Sequence, residues 1–306
     1  MRAGPSTATR AFRAFALAAA LSQCVPALAG SVSLPRTERW PLQAAPNKHD
    51  YVIDVALPRS YAEKGNARRY PVIVTLDAGY AFAITRNVVE HLSDRDNLPE
   101  AIVVSVGYPG GIEDYPAYRR TRTRDYTPLH WPDGGYGPPF QKHSGGGPAF
   151  RDFLLDTVKP ALARRYRVEP DDWTLVGHSY GGLFGAWLLT TRPAAFQRWL
   201  IVSPSLWYAD RWLFQAEARA NAERDDLSAR VFLTVGANED AQMAADLHAF
   251  SRQLCAHRWP SFALYSHVFE DENHNTVFPA ALTRGLRVLF DEQPHRDSCE
   301  RTAVRP

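Results

Sequence analysis

Trp173-Thr174-Leu175-Val176-Gly177-His178-Ser179-Tyr180-Gly181-Gly182-Leu183-Phe184 reads as a short buried strand, a tight turn around a serine, and the opening of an apolar helix. The spacing Gly177-x-Ser179-x-Gly181 is that of a nucleophile elbow, in which a strained strand-to-helix turn lifts a serine hydroxyl above the end of a sheet. Gly177 and Gly181 leave room where a side chain would clash, and glycine tolerates the unusual backbone angles nearby. The helix that follows aims its first amides and its positive dipole end at the serine, where an oxyanion would develop. Three fixed positions are a weak signal alone, because glycine-rich strand–helix turns occur in many α/β proteins. The flanking sequence decides.

Outward from this stretch, short β-branched runs recur at Pro71–Leu76, Ile102–Val106, Leu200–Ser203, Val231–Val235 and Phe262–Phe269. Continuous apolar runs mark strands covered on both faces, whereas the alternation at Tyr51–Leu57 suits a half-exposed antiparallel strand. Helical patterns lie between them, near Ala81–Leu92, Phe150–Arg165, Leu183–Thr190, Arg211–Glu223, Ala241–Ala256 and Thr276–Phe290. Strands alternating with helices predict an α/β fold with a mostly parallel central sheet and helices on both faces. Pro160 should kink or split the helix that contains it.

The stretch 109–147 breaks this rhythm. It is rich in Gly, Pro and Tyr, has little periodicity, and carries the cluster Tyr118-Arg119-Arg120-Thr121-Arg122-Thr123-Arg124-Asp125-Tyr126. It follows the Ile102–Val106 strand, at the sheet edge where open α/β folds bind ligands. A long ordered loop in a compact domain is usually functional, so 109–147 reads as a lid or pocket wall. A surface elaboration packed on itself is the alternative.

Residues 1–29 carry Arg10 and Arg13, an apolar run from Ala14 to Leu21, and Ala27-Leu28-Ala29 before Gly30. That is the layout of a secretory signal peptide cleaved near Ala29, which predicts a periplasmic or secreted protein with one domain over 30–306. Removing Arg2, Arg10 and Arg13 from the 35 basic residues leaves 32 against 33 acidic ones. A balanced charge gives no footprint for nucleic acid. No later run is long and apolar enough for a stable membrane span. No Walker A, G-x-G-x-x-G, C-x-x-C or H-E-x-x-H pattern occurs, so neither a metal nor a cofactor is predicted. Without Cys24, Cys255 and Cys299 remain, and in an oxidising compartment they either pair or stay as free thiols. Nothing in the sequence sets the oligomeric state.

A serine hydroxyl needs a base within hydrogen-bonding reach. Of the 10 histidines, His274 lies in the polar loop Glu270-Asp271-Glu272-Asn273-His274, after the last strand and before the last helix. Chain order Ser, acid, His places the base on that loop. His178 is expected to orient or pack. The acid should follow Val231–Val235, with Glu239 the first choice and Asp240 the second; both could instead serve as charges at a helix N-terminus. Oxyanion donors should be the Tyr180 amide and that of Ala78 or Gly79.

Several stretches carry a family resemblance: YPVIVTLDAGYAF (70–82), RTRDYTP (122–128), SGGGPAFRDFL (144–154), VKPALARRYRVEPDDWTLVGHSYGGLFGAWLL (158–189), FQRWLIVSPSLWY (196–208), VGANED and DENHNTVFPAAL. In this order they resemble the esterase D-like branch of the α/β-hydrolases, which includes the enterobactin and salmochelin siderophore esterases. The resemblance implies an α/β-hydrolase fold, Ser179 as nucleophile, His274 as base and Trp207 near the pocket. Some members of that branch work with a Ser–His dyad, and several have LDG where this chain has Leu76-Asp77-Ala78. Arg122 and Arg124 suit binding of an anionic ester such as a catecholate siderophore, or structural ion pairs with Glu113, Asp114 and Asp125. The expected function is an exported serine esterase acting on a small-molecule ester. An acyltransferase with the same machinery and a binding protein on an inactive scaffold are the alternatives.

Overall fold

The strand that ends in the elbow, Val168–His178, is paired in parallel on both sides, with Tyr70–Thr75 and with Arg198–Val202. This places it inside the sheet and fixes where Ser179 emerges. The computed structural model describes residues 33–44, 49–291 and 298–299. The described residues from Leu34 onward belong to one unit; the predicted signal peptide lies outside the described residues.

The strands are β1 (Thr37–Gln43), β2 (Asp50–Ala56), β3 (Tyr70–Thr75), β4 (Ile102–Gly107), β5 (Val168–His178), β6 (Arg198–Val202), β7 (Ala229–Gly236) and β8 (Phe262–Phe269). Their order across the sheet is β1-β2-β4-β3-β5-β6-β7-β8. The pairs β1–β2 and β2–β4 are antiparallel and the rest are parallel. The mostly parallel sheet is therefore as expected, and β1 is an addition. Its sequence, TERWPLQ, holds three charged or amide side chains and a proline, which an edge strand tolerates.

Helices α1 (Ala78–Arg95), α2 (Tyr115–Tyr126), α3 (Pro138–Gln141), α4 (Gly147–Asp152), α5 (Lys159–Arg165), α6 (Tyr180–Thr191), α7 (Tyr208–Asn221), α8 (Ala241–Ala256) and α9 (Val277–Phe290) complete the chain. Successive residues of β5 face opposite sides, as the strand period requires. Leu175 joins a core with Phe184 and Leu188 of α6 and Phe250 of α8. Val176 joins a second core with Phe82 of α1 and Phe278 and Leu282 of α9. Both faces are thus covered. Helix α6 is buried from Tyr180 to Thr190, which explains why its sequence is apolar all round.

The region 109–147 differs from its reading as a loop. It contains α2, whose buried residues are Tyr118, Arg122, Thr123, Asp125 and Tyr126. Its inner face is largely polar, so no apolar period marks it. The helix around Pro160 is split as expected. A wider π-helical turn spans Phe153–Val158, and the Lys159 amide reaches back to the Leu154 carbonyl. The wide turn comes just before Pro160, which has no amide to donate.

Among the described residues no helix is long and apolar enough to cross a membrane, and no group of His, Cys, Asp or Glu side chains is arranged to hold a metal ion. Cys255, near the end of α8, is disulfide-bonded to Cys299. The two cysteines whose pairing the sequence leaves open are therefore joined.

Candidate active site

Ser179 sits between β5 and α6 with φ 61° and ψ −118°. A non-glycine residue in this region is strained, by about 1–3 kcal/mol. The turn is held by its neighbours: the Ser179 amide donates to the Val202 carbonyl at 3.0 Å, and the Ser179 carbonyl accepts from Leu183 at 2.9 Å and from Ser205 at 3.2 Å. A Cβ on Gly177 would stand 2.3 Å from the Gly181 carbonyl oxygen, and one on Gly182 2.8 Å from that of Val202. Backbone cannot retreat from such overlaps, so the glycines around the serine are required by space.

The loops after β7 and β8 meet at the same end of the sheet. Ala237 donates to the Phe269 carbonyl and Asn238 to the Glu272 carbonyl, each at 2.8 Å. A Cβ on Gly236 would lie 2.4 Å from the Glu272 oxygen, so a glycine permits the approach. This brings Glu239 Oε2 to 2.7 Å from His274 Nδ1. The other carboxylate oxygen, Oε1, accepts from Ser203 Oγ at 2.5 Å and from the Gly236 amide at 2.7 Å. Burial pushes the Glu239 carboxyl up, but the hydrogen bonds from His274, Ser203 and Gly236 outweigh it and hold the group below its ordinary range. With Nδ1 engaged by a carboxylate, the imidazole has Nε2 left to face a reactant. Asp240, the second choice for the acid, instead caps α8 by accepting from the Gln242 amide at 2.8 Å.

Ala78 and Gly79 open α1, and Tyr180 opens α6. Amides in a helix's first turn have no partner within the helix, and the three amides expected as oxyanion donors lie in such turns. Asp77, just before α1, is left-handed at φ 60° and ψ 50°, and its amide donates to the Tyr126 phenol at 3.0 Å.

Arg122 lies 3% exposed beneath these turns. Its Nε and Nη2 grip Asp77 at 2.6 and 3.1 Å, Nη2 also donates to the His178 carbonyl at 3.0 Å, and Nη1 donates to the Tyr136 phenol at 2.8 Å. Burial opposes its charge, yet Asp77 holds it firmly protonated. The partner is Asp77, not the Glu113 or Asp114 considered from sequence. Arg124 pairs with Asp125 at 2.6 Å and donates to the Tyr51 phenol at 3.2 Å. Both guanidiniums are thus engaged within the protein, which favours the ion-pair alternative over ligand binding. Trp207, half-buried at the start of α7, lies 6.2 Å from the Tyr180 ring. Gly135 donates to the Tyr180 phenol at 3.0 Å, so the 109–147 region packs onto the elbow helix.

Sequence reasoning missed Ser203, Tyr80 and the function of Asp77 as an anchor. Only Asp77 carried a signal, as an acid between a buried strand and a helix. His178 Nδ1 is 2.9 Å from the Tyr80 hydroxyl, and its ring centroid is 4.7 Å from that of His274. Burial, then the neighbouring His274 and Arg122, hold the His178 imidazole well below its ordinary range, so it is neutral.

Comparison with known proteins gives a consistent picture. The family model Esterase matches residues 45–289. A siderophore triacetylfusarinine C esterase of Aspergillus fumigatus is 27% identical over 296 residues, covering 87% of this chain and 97% of that protein. A ferri-bacillibactin esterase of Bacillus subtilis is 25% identical over 276 residues, covering 86% and 93%. Among solved structures, the BES protein of Bacillus cereus superposes with a TM-score of 0.75 at 27% identity, over 86% of this chain and 97% of that one.

Proposed function

The chain belongs to the esterase family and is a serine hydrolase with the α/β-hydrolase fold, and on that premise we propose that it cleaves a carboxylic ester through an acyl-enzyme formed on Ser179. The observation that carries this reading is the contact between Glu239 and His274, on two loops at the sheet end where the elbow emerges. Ser179 Oγ attacks the ester carbonyl carbon while its proton passes to His274 Nε2. Glu239 accepts the Nδ1 proton's hydrogen bond and stabilises the imidazolium. The carbonyl oxygen becomes an oxyanion facing the Tyr180 amide and that of Ala78 or Gly79. Arg122, paired with Asp77 and bonded to the His178 carbonyl, ties the turn before α1 to the turn before α6. Collapse of the intermediate breaks the ester bond, and His274 returns its proton to the leaving alcohol. Water activated by His274 then frees the acid and restores the serine.

For the substrate we propose a siderophore-type ester, the class named for the fungal and bacterial relatives. Trp207 would line its site. The signal-like segment 1–29 supports export to the periplasm or beyond. The test is hydrolysis of small activated esters and of cyclic siderophore esters by the wild type and by Ser179→Ala. Loss of turnover in a folded variant is expected; unchanged turnover would overturn the assignment of the nucleophile.

A further inference from the structure

We infer that His178 is a positioning residue for the base, holding the His274 ring in register with Ser179. This rests on the esterase reading above. His274 sits on a polar loop with its side chain 39% exposed, and Glu239 engages it at Nδ1. One hydrogen bond fixes a distance but leaves the ring free to rock about the Nδ1···O axis. A flat group against the ring face removes that freedom. His178 supplies such a face, with centroids 4.7 Å apart and planes inclined by 36°.

His178 is itself fixed on every side. It ends β5 in register with Val202, and it is 8% exposed. Its carbonyl is held by Arg122, its Nδ1 by the Tyr80 hydroxyl at 2.9 Å, and its ring packs near Phe278 at 5.9 Å. The Tyr80 hydroxyl also lies 3.4 Å from Asp77 Oδ2. His178 Nε2 is buried with no hydrogen-bond partner among the described residues. Because His178 adjoins Ser179 in the chain, the strand that sets the nucleophile also sets the surface on which the base rests. Misplacing a reacting group by an ångström costs about a hundredfold in rate, so the contact bears on turnover and not on substrate affinity.

The test compares His178→Ala, which removes the face, with His178→Phe, which restores one. Three quantities are read: kcat and KM on a p-nitrophenyl ester, the rate of inactivation by a fluorophosphonate, and the downfield proton resonance of the His274–Glu239 hydrogen bond. The wild type is labelled first. Failure of Ser179 to label there would overturn the esterase reading itself, before any variant is made. Given labelling, His178→Ala should lower kcat and the inactivation rate by about 10- to 100-fold, leave KM within about two-fold, and broaden the resonance. His178→Phe should recover most of the rate. Wild-type kcat in His178→Ala, or a rise in KM alone, would overturn the inference. Should His178→Ala not fold, His178→Leu fills the volume without a flat face; the same loss is expected, and unchanged kcat would overturn it.

Discussion

Glu239 holds His274 with one carboxylate oxygen, at 2.7 Å, and is itself held by Ser203 and Gly236 through the other. The carboxylate is therefore oriented before any substrate arrives. On the proposed mechanism Glu239 is the acid that supports His274 as base. Glu239→Gln keeps the size but gives the imidazole the wrong partner. Its kcat should fall by about 10²–10⁴-fold with KM little changed, read by steady-state hydrolysis of an activated ester.

Removing Arg122 strands Asp77, which is 1% exposed. Arg122→Met should cost about 3–5 kcal/mol, because an uncompensated buried charge remains. Combining it with Asp77→Asn should recover part of that loss. Denaturant unfolding of the two single variants and the double variant measures the coupling.

The neutral His178 makes stability pH-dependent. Its folded value lies below the unfolded one, so the unfolded chain binds the proton more readily. Stability from this source is complete above the unfolded value of about 6.5 and is lost as pH falls below it. Thermal unfolding between pH 7.5 and 5 should therefore show a steeper decline in the wild type than in His178→Phe. Equal slopes would refute this origin.

Cys255 and Cys299 close a loop with a sequence separation of 44. A constraint of that length on the unfolded chain is worth about 4 kcal/mol. Reductant should lower the unfolding midpoint of the wild type and leave that of a Cys255→Ser/Cys299→Ser variant unchanged.

How much of this was legible depended on what kind of pattern each element leaves. Strands β3 to β8 were visible as apolar runs because both faces of the sheet are covered. Strand β1 was missed because an edge strand with Pro41 and charged neighbours has no such pattern. Helix α2 leaves no apolar period in the sequence because Arg122 and Asp125 occupy its buried face. In α7, Ala209, Asp210 and Arg211 adopt left-handed angles, with φ of 51°, 53° and 63°. Nothing in their sequence announces this, since glycine is the residue expected there. In the site, the pairing of Glu239 with His274 followed the order expected along the chain. Ser203 and Tyr80 were not legible, because a hydroxyl that steadies a charged or ring nitrogen partner can come from any nearby turn. Arg122 was read either as a ligand contact or as one half of a structural ion pair, and its geometry fits the ion pair, with Asp77 as the acid.

The most direct test of the nucleophile is mass spectrometry of the folded protein after treatment with a fluorophosphonate, with Ser179→Ala as control. A single adduct on Ser179, absent from the variant, is the predicted result. No adduct on folded wild-type protein, or one on another residue, would contradict it.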